Sequence, residues 1–191
     1  MKRLFVDMDG TLAKFSFVSN AKLHEKGYFI NLEPMKNVVA AVKEIIKNDN
    51  GIEVFTMSAV LTDSEYAIPE KNAWLDRYLP EIDTAHRIFV PCGENKKHYI
   101  PDGMKDQDYL LDDFTENLIA WLPNRGIKVL NGINHTKGTW KGSKVSSEEE
   151  PLRLAEEIVT AMEEKNVCFY EAYTVGDVSL EAIKFEERKE S

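Results

Sequence analysis

Short apolar runs that stop abruptly at residues able to do chemistry recur along this chain, and they constrain its fold more than any other feature. Leu4-Phe5-Val6 ends in Asp7-Met8-Asp9-Gly10-Thr11. Ile52-Glu53-Val54-Phe55 is followed by Thr56 and Ser58, and Arg87-Ile88-Phe89-Val90 by Pro91 and then Lys96. Tyr109-Leu110-Leu111 runs into Asp112-Asp113, and Ile127-Lys128-Val129-Leu130 is a fifth run. Runs this short read as buried strands rather than helices. Between them lie helical patterns. Asn37–Lys47 is apolar at 38, 39, 42, 45 and 46 and closes at Asn50-Gly51, while Glu70–Tyr78 stops before Pro80. Ser147-Glu148-Glu149-Glu150 reads as a capping box opening a helix that runs to Glu164. Strands separated by helices imply an α/β fold, a doubly wound parallel sheet covered on both faces. In such sheets ligands bind beyond the carboxyl ends of the strands, which is where these polar residues fall.

Composition narrows the function. With 24 Lys and Arg against 33 Asp and Glu, the net charge is −9. A field of that sign repels phosphate backbones and anionic lipid surfaces, so no nucleic-acid polymer and no membrane is expected as a partner. A small phosphorylated ligand stays compatible, because a metal ion or a few cations can invert the sign inside one pocket. Cys92 and Cys168 form no metal-spaced pair and read as reduced thiols, and no apolar run is long enough to span a bilayer. The expected localisation is cytoplasmic. The oligomeric state is open, a homodimer among the options.

Asp7 and Asp9 sit two residues apart where a strand gives way to a turn, so their side chains can diverge to two jobs. Gly10 allows the turn without crowding an incoming anion. Ser58 supplies a hydroxyl for which Thr56 competes, Lys96 a cation, and Asp112-Asp113 further carboxylates. Carboxylates gathered round one crevice repel one another unless a divalent cation sits among them. Mg²⁺ suits that donor set, since it takes hard oxygen ligands and leaves positions for substrate phosphate. A phosphoryl group could then be neutralised by the metal and Lys96 and attacked by the Asp7 carboxylate.

An apolar strand followed by Asp7-Met8-Asp9-Gly10-Thr11 resembles the DxDGT signature of the haloacid-dehalogenase-like (HAD) phosphatases. The hydroxyl after the second strand, Lys96 and Asp112-Asp113 resemble that superfamily's later motifs in the right order, over residues 4–145. Within it the chain is similar to the 5′(3′)-deoxyribonucleotidase-like group. The features are Gly27-Tyr28-Phe29 leading to Pro34, Lys71 and Trp74, Leu110-Leu111-Asp112-Asp113, and the tract Asn131–His135. The resemblance implies a Mg²⁺-dependent phosphomonoesterase, with a deoxynucleoside monophosphate as one substrate. It makes Asp7 the nucleophile that forms an aspartyl-phosphate, and Asp9 the general acid and then base, its carbonyl also on the metal. Ser58, Lys96 and Gly10 would hold the phosphate, Asp113 would bind Mg²⁺ directly and Asp112 would support it from behind. Residues 1–165 then form the catalytic domain, with a small cap at 13–33 rich in aromatics (Phe15, Phe17, Tyr28, Phe29), and 166–191 an extension without an assigned role. Three departures stand out: Thr56-Met57-Ser58 replaces adjacent Thr-Ser, Asn117 replaces an acid, and the cap is short. The alternatives are a HAD phosphatase of a non-nucleotide ester and a non-catalytic Mg²⁺- or phosphate-binding or signalling domain. The second is disfavoured because a receiver carries its acidic pair, not the phosphorylated Asp, after strand one. Trp74 is expected in the core, Trp140 either over a substrate or pinning its loop, and His24, His86 and His98 at the surface.

Overall fold

The structure, a computed structural model, describes residues 1–163 apart from 17, 49, 123 and 134–139. Six strands, β1 (Lys2–Val6), β2 (Ile52–Val60), β3 (Arg87–Pro91), β4 (Asp108–Asp112), β5 (Gly126–Leu130) and β6 (Ser143–Ser146), form one parallel sheet. Their order is β3-β2-β1-β4-β5-β6, so the winding reverses between β1 and β4. That reversal opens a crevice at the carboxyl ends of these two strands.

The helices are α1 (Asn20–Leu23), α2 (Lys36–Lys47), α3 (Ala67–Tyr78), α4 (Thr115–Ala120) and α5 (Pro151–Glu163). Leu4 and Val6 pack in one layer with Val42 and Ile45 of α2, Trp74 and Leu75 of α3, and Leu154 and Ile158 of α5. Phe5 points the other way, into a layer with Phe55, Met57, Leu110, Leu118, Trp121 and Trp140. Burial on both faces is why these strands read as unbroken apolar runs rather than as alternation. The doubly wound parallel sheet expected from the sequence is therefore the architecture observed.

Several details differ from the expectations. The second strand does not end at Phe55: residues 52–56 pair with β1, and residues 56–60 pair with β3. Ser58 therefore lies within β2, because a second neighbour continues the ladder after β1 has ended. The short polar strand β6 carries no apolar signal of its own and forms by pairing with β5. The capping box at 147–150 is not made. Instead α5 begins at Pro151, and the Glu150 carboxylate accepts from the Leu152 and Arg153 amides at 3.1 and 3.4 Å. Proline fits that first helical position because it has no amide proton to satisfy there. Trp140 is buried, packs beside Gly126 and donates to the Ser143 carbonyl at 3.0 Å, which makes it a pin for its loop. Trp74 is wholly buried as expected. The remainder of the 135–142 loop up to 139, His135, Phe17 and the extension 166–191 lie outside the described residues.

The chain between β1 and α2 leaves the sheet and returns at a closed neck. Lys14 donates its amide to the Glu33 carbonyl at 2.7 Å and Met35 to the Leu12 carbonyl at 2.8 Å. Its far end is tied to α3, where the Glu70 carboxylate accepts from the amides of Gly27, Phe29 and Ile30 at 2.5, 3.0 and 3.4 Å. Trp74 donates its indole N–H to the Leu32 carbonyl at 2.7 Å.

At the opposite, amino-terminal ends of β1 and β4, Arg3 and Asp108 form a buried bidentate pair at 2.7 and 2.6 Å. Arg3 also donates to the carbonyls of Pro101 and Gly103, both at 2.9 Å, and the Lys105 amide donates to Asp108 at 2.7 Å. No helix among the described residues is long and apolar enough to cross a membrane.

Candidate active site

Beyond Val6 the backbone turns through Gly10, which has φ +94°. A Cβ there would stand 2.4 Å from the nearer Asp113 carboxylate oxygen, so the turn and the close approach both require glycine. Asp7 and Asp9 diverge, as their spacing allowed. Asp7 Oδ1 accepts from Lys96 Nζ at 2.5 Å, whereas Asp9 Oδ2 accepts from Lys71 Nζ. The other Asp9 oxygen, Oδ1, is buried without a hydrogen-bond partner.

Lys96 opens a 3₁₀ turn (Lys96–Tyr99) after β3, capped by the Asn95 side chain. It is buried while Lys97 is not, and it bridges Asp7 and Asp112, the second contact being 2.7 Å. Asp112 ends β4 with both oxygens engaged: Oδ1 accepts from the Phe114 amide at 2.7 Å, and Oδ2 also accepts from Asn117 Nδ2 at 2.9 Å. Asn117, where the resembled family carries an acid, thus supports Asp112. Asp113 donates its amide to Thr11 Oγ1 at 3.1 Å and accepts from Asn131 Nδ2 at 3.1 Å. Asn131 also donates to the Gly10 carbonyl at 2.7 Å, so one side chain after β5 ties the Gly10 turn to Asp113.

Asp7, Asp112 and Asp113 each bring a carboxylate oxygen within 4.8 Å of the others, all buried. Burial pushes the Asp7 carboxyl well above the usual carboxylate range. Lys96 opposes the shift, and Asp112, Asp113 and Asp9 add to it. Burial alone would lower the Lys96 ammonium, but Asp112 and Asp7 outweigh it and hold it above its ordinary value. Carboxylates this close and this buried form a site that could hold a metal ion.

Asp7, Asp9, Lys96, Asp112 and Asp113 line a cavity of about 620 Å³. Its remaining wall is largely apolar, with Phe15, Val18, Leu23 and Phe29 from the segment after β1 and Phe114 and Ala120 from around α4. Ser58 and Gly10 are not on that wall. Ser58 is buried, and its hydroxyl oxygen accepts from Lys71 at 2.7 Å, while Thr56 is buried two residues earlier on β2. Tyr28 packs edge-on against both Phe15 and Phe29. Of the histidines, His98 is exposed and His24 and His86 are partly so.

A family model described as 5′ nucleotidase, deoxy (Pyrimidine), cytosolic type C protein matches residues 16–150. The chain belongs to this family. It is a family of HAD-type phosphoric monoester hydrolases, and its small phosphorylated substrates are those a crevice of strand-end acids and a lysine would serve. The matched span begins after the Asp7–Thr11 turn, so that turn is an observation independent of the match. No curated protein matches the chain significantly. A solved structure titled "Structure of DsGPDH of Dunaliella salina" is similar at 16% identity and a TM-score of 0.41, over 71% of this chain and 25% of that one. The chain spans a quarter of that protein, and a likeness so slight carries no argument.

Two site residues, Lys71 and Asn131, are named by the resemblance but given no role there. Lys71 was visible only as part of a resemblance. Its signal was a charge on the same helical face as Ala67, Trp74 and Leu75, all of which are buried. Asn131 directly follows β5, and the strand-end rule that singled out the acids applies to it equally.

Proposed function

We propose that this chain is a Mg²⁺-dependent 5′(3′)-deoxyribonucleotidase-like phosphomonoesterase that works through an aspartyl-phosphate on Asp7. The observation that carries the reading is the buried Asp7–Asp112–Asp113 cluster beside Lys96, in which three carboxylates each bring an oxygen within 4.8 Å of the others. Such a donor set fits a hard divalent cation. Asp7, Asp113 and the Asp9 carbonyl would hold the ion, and Asp112, already saturated by Lys96, Phe114 and Asn117, would orient its neighbours. When bound, Mg²⁺ would neutralise charge on the transferring phosphoryl group and keep Asp7 ionised in spite of its burial.

The remaining steps belong to this chain's own residues. Lys96 neutralises a second phosphoryl oxygen and aligns Asp7. Ser58, whose oxygen accepts from Lys71, has its O–H left to donate to the phosphoryl group, and Gly10 leaves room for the phosphate to approach the turn. Asp7 attacks phosphorus as the ester oxygen departs with a proton from Asp9, and Asp9 then takes a proton from the water that hydrolyses the intermediate. Residues 13–33 act as a small cap over a catalytic domain spanning residues 1–165. The aromatic and aliphatic wall they help to build suits a nucleobase or another flat apolar group.

The test is phosphate release from ribo- and deoxynucleoside monophosphates, sugar phosphates and an aryl phosphate, with and without Mg²⁺, beside Asp7→Asn and Asp9→Asn. Magnesium-dependent release abolished by Asp7→Asn and strongest on deoxynucleotides is the expected result. Turnover indifferent to chelation, or undiminished in Asp7→Asn, would overturn the mechanism. A preference for sugar phosphates would keep the mechanism and replace the substrate.

A further inference from the structure

Lys71 is wholly buried and does not line the cavity, yet all three of its ammonium protons are directed. They go to Asp9 Oδ2, to Ser58 Oγ at 2.7 Å and to the Ala59 carbonyl at 2.9 Å. An ammonium with three donors and three acceptors is fixed as a tripod. The Phe29 ring, 4.7 Å from Nζ, closes its remaining side. Asp9 is thereby gripped by one oxygen, while the other, Oδ1, is buried without a partner, and the residue is part of the cavity lining. The same turn of α3 holds the segment after β1, through Glu70 on the amides of Gly27, Phe29 and Ile30 and through Trp74 on Leu32.

We propose that Lys71 is the positioning residue for proton transfer by Asp9: it fixes Oδ2, leaves Oδ1 as the oxygen that carries the proton and compensates the charge that develops on Asp9. The inference rests on the reading of Asp9 as general acid. As the Asp7 oxygen bonds to phosphorus and the bond from phosphorus to the ester oxygen breaks, the O–H bond at Asp9 Oδ1 breaks too. Its proton goes to the departing oxygen, and the electron pair stays on the carboxylate beside Lys71. A cation already in place costs no reorganisation at that moment, which is the condition for effective electrostatic assistance. Because Glu70, Lys71 and Trp74 share one turn, the segment that covers the cavity and the acid beneath it are held by one element.

The distinguishing readout is the leaving group. A nucleoside leaves as a poor alkoxide and needs the proton, whereas p-nitrophenolate leaves well without it. For Lys71→Met, kcat/KM, which reports formation of the aspartyl-phosphate and not its hydrolysis, is expected to fall about 10- to 100-fold on a deoxynucleoside 5′-monophosphate and to change by less than about threefold on p-nitrophenyl phosphate. The ratio is measured on one preparation, so any loss of folded protein cancels. Lys71→Gln, which keeps a donor without the charge, should give an intermediate ratio. Equal losses on both esters would reduce Lys71 to structural support and overturn the proposal. Asp9→Asn is the reference: if its losses too are equal on both esters, the reading of Asp9 as acid has failed and the proposal falls with it. If Asp9→Asn discriminates between the esters and Lys71→Met does not, the acid stands and only the role of Lys71 is refuted.

Discussion

Strands β1 and β4 carry buried charge at both ends, and the two ends are built on opposite principles. At the amino ends one guanidinium meets one carboxylate in a bidentate pair, with Pro101, Gly103 and Lys105 satisfying what remains. At the carboxyl ends Asp7, Asp112 and Asp113 crowd together around Lys96. The first arrangement is neutral and complete within the chain. The second gathers like charges in a buried crevice, a choice that costs stability and makes sense only if a ligand of opposite charge is to be received. Buried charge is thus not itself a mark of function; buried carboxylates gathered against one another are.

The sharpest way to break this comparison is Asp7→Asn. At the carboxyl ends the change should abolish turnover, by on the order of 10⁴-fold or more, while leaving the protein folded and no less stable without metal. A steady-state assay beside a urea titration decides it, and a large loss of stability would show the cluster to be a structural pair after all. The amino ends should respond in reverse. Arg3→Met strands the buried Asp108 charge and is expected to cost about 3–5 kcal/mol in urea unfolding, with kcat per folded molecule unchanged.

Metal binding is the next effect in size. At 100 times its dissociation constant, Mg²⁺ should stabilise the protein by about 2.7 kcal/mol, read as a rise in melting temperature. Asp113→Asn should remove most of that rise and Arg3→Met none of it. The smallest effect is in pH. Asp7 is held above its ordinary value in the folded protein by burial, so the folded state keeps a proton that the unfolded state has lost. Stability contributed by that proton is present below the unfolded carboxylate range and is lost as pH rises through the raised value. In chelated protein the free energy of urea unfolding should therefore fall with rising pH above about 4, at no more than about 1.4 kcal/mol per pH unit, and Asp7→Asn should flatten the slope.

Asn131 and Lys71 show how far a linear reading reaches. Asp7, Lys96 and Asp112-Asp113 were legible because each follows an apolar run, and a parallel sheet gathers strand ends whatever the loops do. Lys71 sits in mid-helix, thirteen residues after Ser58, and its meaning comes from Asp9, 62 residues away. Ser58 looked like a strand terminus because its own sequence weakens there, yet β3 extends the strand past it. The start of α5 followed a similar rule: four polar residues in a row offered several caps, and the one nearest Pro151 was used.

The sequence by itself determined the α/β class, the parallel sheet and the acids at its carboxyl edge, because burial on both faces demands apolar runs and the turns after them must be polar. Only the tertiary structure decided which lysine serves which aspartate, that Asn131 braces Asp113, and that α3 anchors the segment over the cavity. Those choices are contacts between distant parts of the chain, set by sheet order and helix packing, and no local pattern of residue types encodes them.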